Sequence, residues 1–173
     1  MNSVKTERIL KASIAVLLAL FVVVIYQTLH ETVVQAGDKA PDFRIATDTG
    51  PIVSRASFGG KILVLNFWAT WCPPCVQEMP SLNSFARAMA PKGVVVLGIS
   101  VDKEEKAYKT FLSRAKVGFL TARDAGKNIN ADYGTFKYPE TYVIDPSGKV
   151  LQKFIGPENW DDPRMLQYIN SLL

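Results

Sequence analysis

Hydrophobic positions follow three different rhythms along this chain, and each rhythm predicts a different element. Residues 12–29 contain no charge, and the apolar run 14–26 within them approaches the roughly 20 residues a helix needs to cross a bilayer. Two later blocks, 61–68 and 93–100, are almost continuously apolar, as strands are when a sheet is covered on both faces. Between and after them the spacing becomes helical. Met79, Leu82, Phe85, Ala86 and Met89 share one face over 76–89, and Tyr108, Phe111 and Leu112 share one over 104–114. Strand, helix, strand, helix in that order predicts two parallel strands joined by a right-handed crossover.

The remaining segments complete an α/β domain. Residues 40–45 read as an extended segment that turns at Asp48-Thr49-Gly50-Pro51 and returns over 52–54 as an N-terminal β-hairpin. Residues 116–134 read as less regular. A second hairpin is expected from 140–145 and 149–155 around Pro146-Ser147-Gly148, and an amphipathic helix over 161–173 closes the chain. The expected architecture is a mixed central sheet of about five strands flanked by helices, with the N-terminal β-hairpin and a single N-terminal transmembrane helix. Residues 1–36 are assigned to a short N-terminus, the anchor and a connector, and residues 37–173 to one folded domain.

Charge orients the apolar helix. Lys5, Arg8 and Lys11 precede it, so the short N-terminus is expected on the cytoplasmic side and everything after about His30 on the extracytoplasmic, periplasmic side. A cleaved signal is the competing reading, because Val34-Gln35-Ala36 offers small residues at a spacing a signal peptidase accepts. The length of the apolar run and its distance from that site favour an uncleaved signal-anchor through residues 12–29. The formal net charge of +4 is dispersed, with no basic cluster or aromatic-interleaved stripe, so no nucleic-acid partner is expected.

Candidate chemistry concentrates in Trp71-Cys72-Pro73-Pro74-Cys75, which holds the only two cysteines of 173 residues. A bridge across two residues constrains little of the unfolded chain, so the CxxC pair reads as a redox-active center rather than a staple. A thiol attacks a disulfide as its thiolate, and Cys72 sits where a buried strand passes into a helix, whose N-terminal dipole stabilises negative charge. Pro73 and Pro74 both lack N–H groups, leaving Cys75 as the first backbone donor to Cys72 sulfur. Moderate acidity of Cys72 and a reducing poise are therefore expected. Cys75, one turn along, is the expected resolving thiol, and Glu78 on the same helical face is the best placed carboxylate to take its proton. The bland alternative for Glu78 is a solvent-facing helix residue.

The segment 65–75 followed by Glu78-Met79-Pro80 resembles the active-site segment of thioredoxin-like proteins. With the anchor, the lead-in Gly37-Asp38-Lys39-Ala40-Pro41-Asp42-Phe43, and Tyr138-Pro139-Glu140-Thr141-Tyr142-Val143-Ile144-Asp145, the resemblance narrows to the membrane-tethered TlpA/ResA/DsbE (CcmG) family. It implies a thioredoxin fold and an oxidoreductase that keeps exported cysteines reduced, with no cofactor. It further implies a cis Pro139 facing the disulfide, and a substrate-binding surface formed by Trp71, Pro73, Pro74, Tyr138, Pro139 and Glu140. The implied client is apocytochrome c during cytochrome c biogenesis, or else a haem-ligation or copper-centre metallochaperone protein. The implied electron donor is a transmembrane thiol carrier of the CcdA/DsbD type. Two departures matter. Ordinary thioredoxins carry a buried acid where this chain has Asn66, so proton transfer passes to Glu78 or Glu140, and the bulky Tyr138 replaces a small or branched residue.

Other functions fit less well. A zinc site lacks ligands, since the only histidine is His30. The lead-in also resembles peroxiredoxins, whose pocket wants a Thr three residues before the reactive cysteine, where this chain has Ala69. A dithiol oxidase uses the same CxxC geometry, and its poise depends on which form is stabilised. A tethered redox sensor or binding module is the non-enzymatic alternative.

Overall fold

Both apolar blocks form central strands. The computed structural model describes residues 2–29 and 33–173, with side chains of the first segment placed over 6–26. The chain forms two units, Met1–Thr32 and Val33–Leu173. In the first, helix α1 (Asn2–Leu29) contains the stretch Thr6–Tyr26, with a mean hydropathy of 2.7, long and apolar enough to cross a membrane. His30 lies outside the described residues.

In the second unit, β1 (Arg44–Ala46) pairs antiparallel with β2 (Ile52–Ser54) as a separate hairpin. The main sheet has the order β5-β4-β3-β6-β7, built from β3 (Ile62–Trp68), β4 (Val94–Ser100), β5 (Leu120–Arg123), β6 (Glu140–Ile144) and β7 (Val150–Ile155). Strands β3, β4 and β5 are parallel, while β6 and β7 run antiparallel to their neighbours. Helix α2 (Pro73–Met89) connects β3 to β4, and α3 (Glu105–Ala115) connects β4 to β5. The short α4 (Asn128–Asp132) precedes β6, and α5 (Pro163–Asn170) follows β7. This is a thioredoxin fold.

Alternation along β3 divides the core. Leu63, Leu65 and Phe67 pack with Leu97, Ile99, Tyr133 and Tyr142, and the segment before β1 adds Val34, Ala40 and Phe43. Ile62 and Val64 face the other way, onto Leu82, Phe85 and Met89 of α2, with Trp160 and Ile169 closing that side. A third cluster at the end of β3 gathers Trp68, Ala69, Cys72, Cys75, Met79, Val101 and Tyr108. Gly98 of β4 makes room for it. A Cβ there would lie 3.1 Å from Trp68 Nε1 and 2.9 Å from the Phe119 ring.

Three boundaries differ from the sequence reading. The stretch expected to be less regular contains β5 and α4; β5 is a four-residue edge strand, too short for an alternation to register. Helix α2 begins at Pro73, where the sequence reading puts the helix start from the fit of proline to a first helical turn, although the apolar spacing begins later. Helix α5 is shorter than 161–173 and is capped by Asp162, whose side chain accepts the Arg164 N–H. The connector assigned to residues 1–36 is partly in the fold. Val34 is buried, its N–H donates to Tyr133 O at 3.2 Å, and its carbonyl accepts from Lys153 Nζ at 3.1 Å.

Candidate active site

Cys72 is the N-cap of α2 and is disulfide-bonded to Cys75, their Cα atoms 5.3 Å apart. The Cys75 N–H donates to Cys72 Sγ at 3.3 Å, the contact that the two prolines leave available. Little of either cysteine meets solvent: Cys72 is 5% exposed and Cys75 fully buried. The loop before them is fixed from beneath. Buried Asp102 accepts the Thr70 N–H at 2.9 Å, the Thr70 hydroxyl at 2.7 Å and the Ser100 hydroxyl at 2.6 Å.

The Tyr138-Pro139 peptide is cis. Tyr138 packs against the cysteine cluster, its ring edge-to-face with Trp71 at 5.9 Å and its hydroxyl donating to Asn130 Oδ1 at 2.6 Å. Trp71 itself is 59% exposed, so these two rings form a lip beside the disulfide with one member reaching into solvent. Pro139 is buried, its carbonyl accepting the Gly156 N–H at 2.9 Å.

Glu78 is not a solvent-facing helix residue. It is 3% exposed. Its Oε1 accepts from Asn66 Nδ2 at 2.8 Å, and its Oε2 accepts from the Glu158 N–H at 3.1 Å and from Trp160 Nε1 at 3.4 Å. Burial pushes its pKa up to about 7, against the opposing pull of those three donors, with the Glu158 charge adding to the rise. Pro80, inside α2, cannot donate to the helix, and next to it Ser81 Oγ donates to Glu78 O and accepts the Trp160 N–H at 3.3 Å. The 157–161 loop is thereby tied to the turn of α2 that carries Glu78.

Glu140 departs from the expectation that it lines the substrate surface. It pairs with Phe67 in the register of β3 and β6, which turns its side chain to the face of the sheet away from α2, where it is 1% exposed. There its Oε1 meets Lys153 Nζ at 2.8 Å and accepts from the hydroxyls of Tyr142 and Thr135. Glu140 is a core ion-pair partner, while its neighbour Thr141 faces the α2 side and accepts from Asn66 Nδ2 at 2.9 Å.

The structure thus brings together Trp71, Cys72, Cys75 and Tyr138 at the disulfide, and Asn66, Glu78 and Thr141 beneath α2. Lys153, Trp160 and Asn130 were not singled out from sequence. Lys153 left a readable sign, a lysine at an inward-facing position of β7, opposite Tyr142. Trp160 and Asn130 lie in segments without periodicity, and nothing local marked them. Among the described residues no group of three or more His, Cys, Asp or Glu is placed to hold a metal ion.

Residues 36–153 match the AhpC/TSA family. The chain belongs to that family. Within it, the chain is a thioredoxin-like thiol-disulfide oxidoreductase of the TlpA/ResA/DsbE group, as its relatives indicate. Thioredoxin-like protein YneN of Bacillus subtilis is 39% identical over 136 residues, 76% of this chain and 79% of that protein. Thiol-disulfide oxidoreductase ResA of Bacillus thuringiensis strain Al Hakam is 35% identical over 124 residues, 72% of each chain. A crystal structure of a candidate thiol:disulfide interchange protein DsbE from Chlorobium tepidum superposes with a TM-score of 0.74 at 31% identity, covering 82% of this chain and 99% of that one.

Proposed function

We propose that this oxidoreductase is a membrane-anchored reductant of exported protein disulfides, with its folded domain on the extracytoplasmic side of the membrane. Cys72 thiolate attacks a client disulfide, forming a mixed disulfide and releasing one client thiolate. Cys75 then passes its proton to Glu78, and the resulting thiolate attacks Cys72 sulfur, releasing the second client thiolate. Two electrons leave the protein, which ends in the bridged form with Glu78 protonated. A dithiol of a transmembrane carrier of the CcdA/DsbD type returns them. Trp71, Tyr138 and the backbone beside Pro139 hold the client, with Pro73 and Pro74 shaping the surface around Cys72.

The observation that carries this reading is a buried carboxylate, held by N–H groups and by no cation, one helical turn beyond a buried Cys75. The single N–H donor to Cys72 sulfur supports moderate acidity and hence a reductant over an oxidase. The client is best read as apocytochrome c, whose haem-attachment cysteines must be reduced before ligation.

Replacing Cys75 with Ala in intact cells tests this. The variant is expected to accumulate a mixed disulfide through Cys72 with apocytochrome c. Trapping of copper-centre assembly proteins instead would replace the client. Absence of any Cys72-linked adduct would overturn the reductase reading in favour of a binding module.

A further inference from the structure

Both carboxylate oxygens of Glu78 are occupied by donors, which suits only the ionised form. A protonated carboxyl carries an O–H that needs an acceptor, so a proton arriving on either oxygen sets donor against donor. Two of the three partners cannot adapt. The Glu158 backbone N–H and the Trp160 indole N–H, both on Oε2, donate and never accept. Asn66, on Oε1, can adapt, because a half-turn of its amide exchanges Nδ2 for Oδ1.

That amide is held through Nδ2 alone, by Glu78 Oε1 and Thr141 Oγ1. Asn66 is fully buried, yet its Oδ1 has no hydrogen-bond partner; among the described residues the other buried side-chain polar atom in that condition is Trp68 Nε1. Its remaining contact is Thr141 Oγ1, a hydroxyl able to accept from Nδ2 or donate to Oδ1. An amide whose oxygen was bonded would have to break that bond to turn.

We propose that Asn66 is a two-position amide that follows the protonation of Glu78. With the carboxylate ionised, Nδ2 donates to Oε1. When the Cys75 proton reaches Oε1, the thiol S–H bond is replaced by a carboxyl O–H bond and one negative charge moves to Cys75 sulfur. The amide then turns, and its Oδ1 accepts from the new O–H and from Thr141, while Oε2 keeps both fixed donors. Asn66 is a positioning residue that acts through Glu78, and the inference rests on the proton role proposed for Glu78 above. The groups on that carboxyl are Asn66 from β3, itself bonded to Thr141 of β6, and Glu158 and Trp160 from the 157–161 loop, with Cys75 one turn earlier on the same helix. Glu78, Glu158 and Asp161 line a cleft of about 410 Å³.

The test uses the reduced full-length protein in lipid nanodiscs, with nitrogen-15 in asparagine side chains and carbon-13 in glutamate carboxyls, titrated from about pH 5 to about pH 9. The infrared carbonyl stretch of protonated Glu78, assigned by its loss in Glu78→Gln, gives the carboxyl midpoint. The Asn66 side-chain amide resonances are expected to shift between two environments with the same midpoint, while the Trp160 indole resonance stays hydrogen-bonded throughout. A Glu78 band that titrates beside unmoving Asn66 resonances overturns the amide turn and leaves the role of Glu78 intact. A Glu78 band that does not titrate overturns both. Asn66→Leu, which can neither donate nor accept, removes a partner from both forms of Glu78 and is expected to leave the midpoint nearly unchanged, whereas a rise of about one unit, the signature of a fixed donor lost, counts against the proposal. If that variant does not fold, the amide titration of the wild-type chain decides alone.

Discussion

Glu78 and Glu140 are buried on opposite faces of the same sheet, and the protein compensates their burial in opposite ways. Glu140 faces an ammonium, Lys153 Nζ at 2.8 Å, supplemented by two hydroxyls. Glu78 accepts from dipoles instead: an amide, a backbone N–H and an indole. Removing a carboxylate from water costs several kcal/mol, and a full counter-charge offsets that far better than three N–H groups do. The first arrangement builds a structural ion pair, which also reaches the connector through Val34 O. The second leaves a carboxyl with a pKa of about 7, the property that the proton transfer proposed for Glu78 requires.

The sharpest way to break this contrast is to remove the cation. Lys153→Met leaves Glu140 buried without a counter-charge and is expected to destabilise the domain by about 3–5 kcal/mol at neutral pH, read as a fall in urea midpoint at unchanged slope. Adding Glu140→Gln to that variant should recover much of the loss, since the uncompensated charge is then gone. A cost below about 1 kcal/mol for the single change would mean that Glu140 is solvated by something other than Lys153.

Glu78 is expected to respond to pH instead. Its pKa is raised in the fold from 4.5 to about 7, so the stability associated with its proton is fully present below about pH 4.5 and is lost as pH rises through about 7. Between those limits the loss is roughly 3 kcal/mol by linkage. Glu78→Gln removes this dependence, whatever its own baseline, so the stability of variant minus wild type should climb across that window. The same change should abolish the neutral-pH step in the rate of disulfide exchange, whereas Glu140→Gln should leave that step in place. Parallel pH profiles for Glu78→Gln and wild type would end the distinction between the two acids.

The smallest effect concerns a single donor. Trp160→Phe keeps a ring against Phe85 and Phe154 but deletes the indole N–H on Oε2, and should cost about 1 kcal/mol at alkaline pH, where Glu78 is ionised. Near pH 4 the cost should shrink, because the neutral carboxyl depends less on that donor. A pH-independent cost would reassign Trp160 to packing alone.

Much of this was legible in the chain. The apolar blocks 61–68 and 93–100 could only be covered strands, and the proline pair between the cysteines dictated which N–H would reach Cys72 sulfur. Strand β5 escaped because four residues at an edge carry no periodic signal, and it is ordered by pairing with β4. Glu140 was misplaced because the resemblance sets its neighbour in sequence, Pro139, against the disulfide, whereas strand alternation sends consecutive side chains to opposite faces.

Sequence by itself determined the fold class, the membrane-length helix and the chemistry at Cys72 and Cys75, because each is written in local pattern: periodicity, an unbroken apolar run, residue types at fixed spacing. Tertiary structure decided which carboxylate keeps its charge company with a lysine and which is left with dipoles. That choice depends on Lys153, Trp160 and Asn66, brought to the two acids from distant parts of the chain. A buried group's proton affinity is set by everything that surrounds it, and only the folded packing of β3, β6, β7 and the 157–161 loop assembles those surroundings.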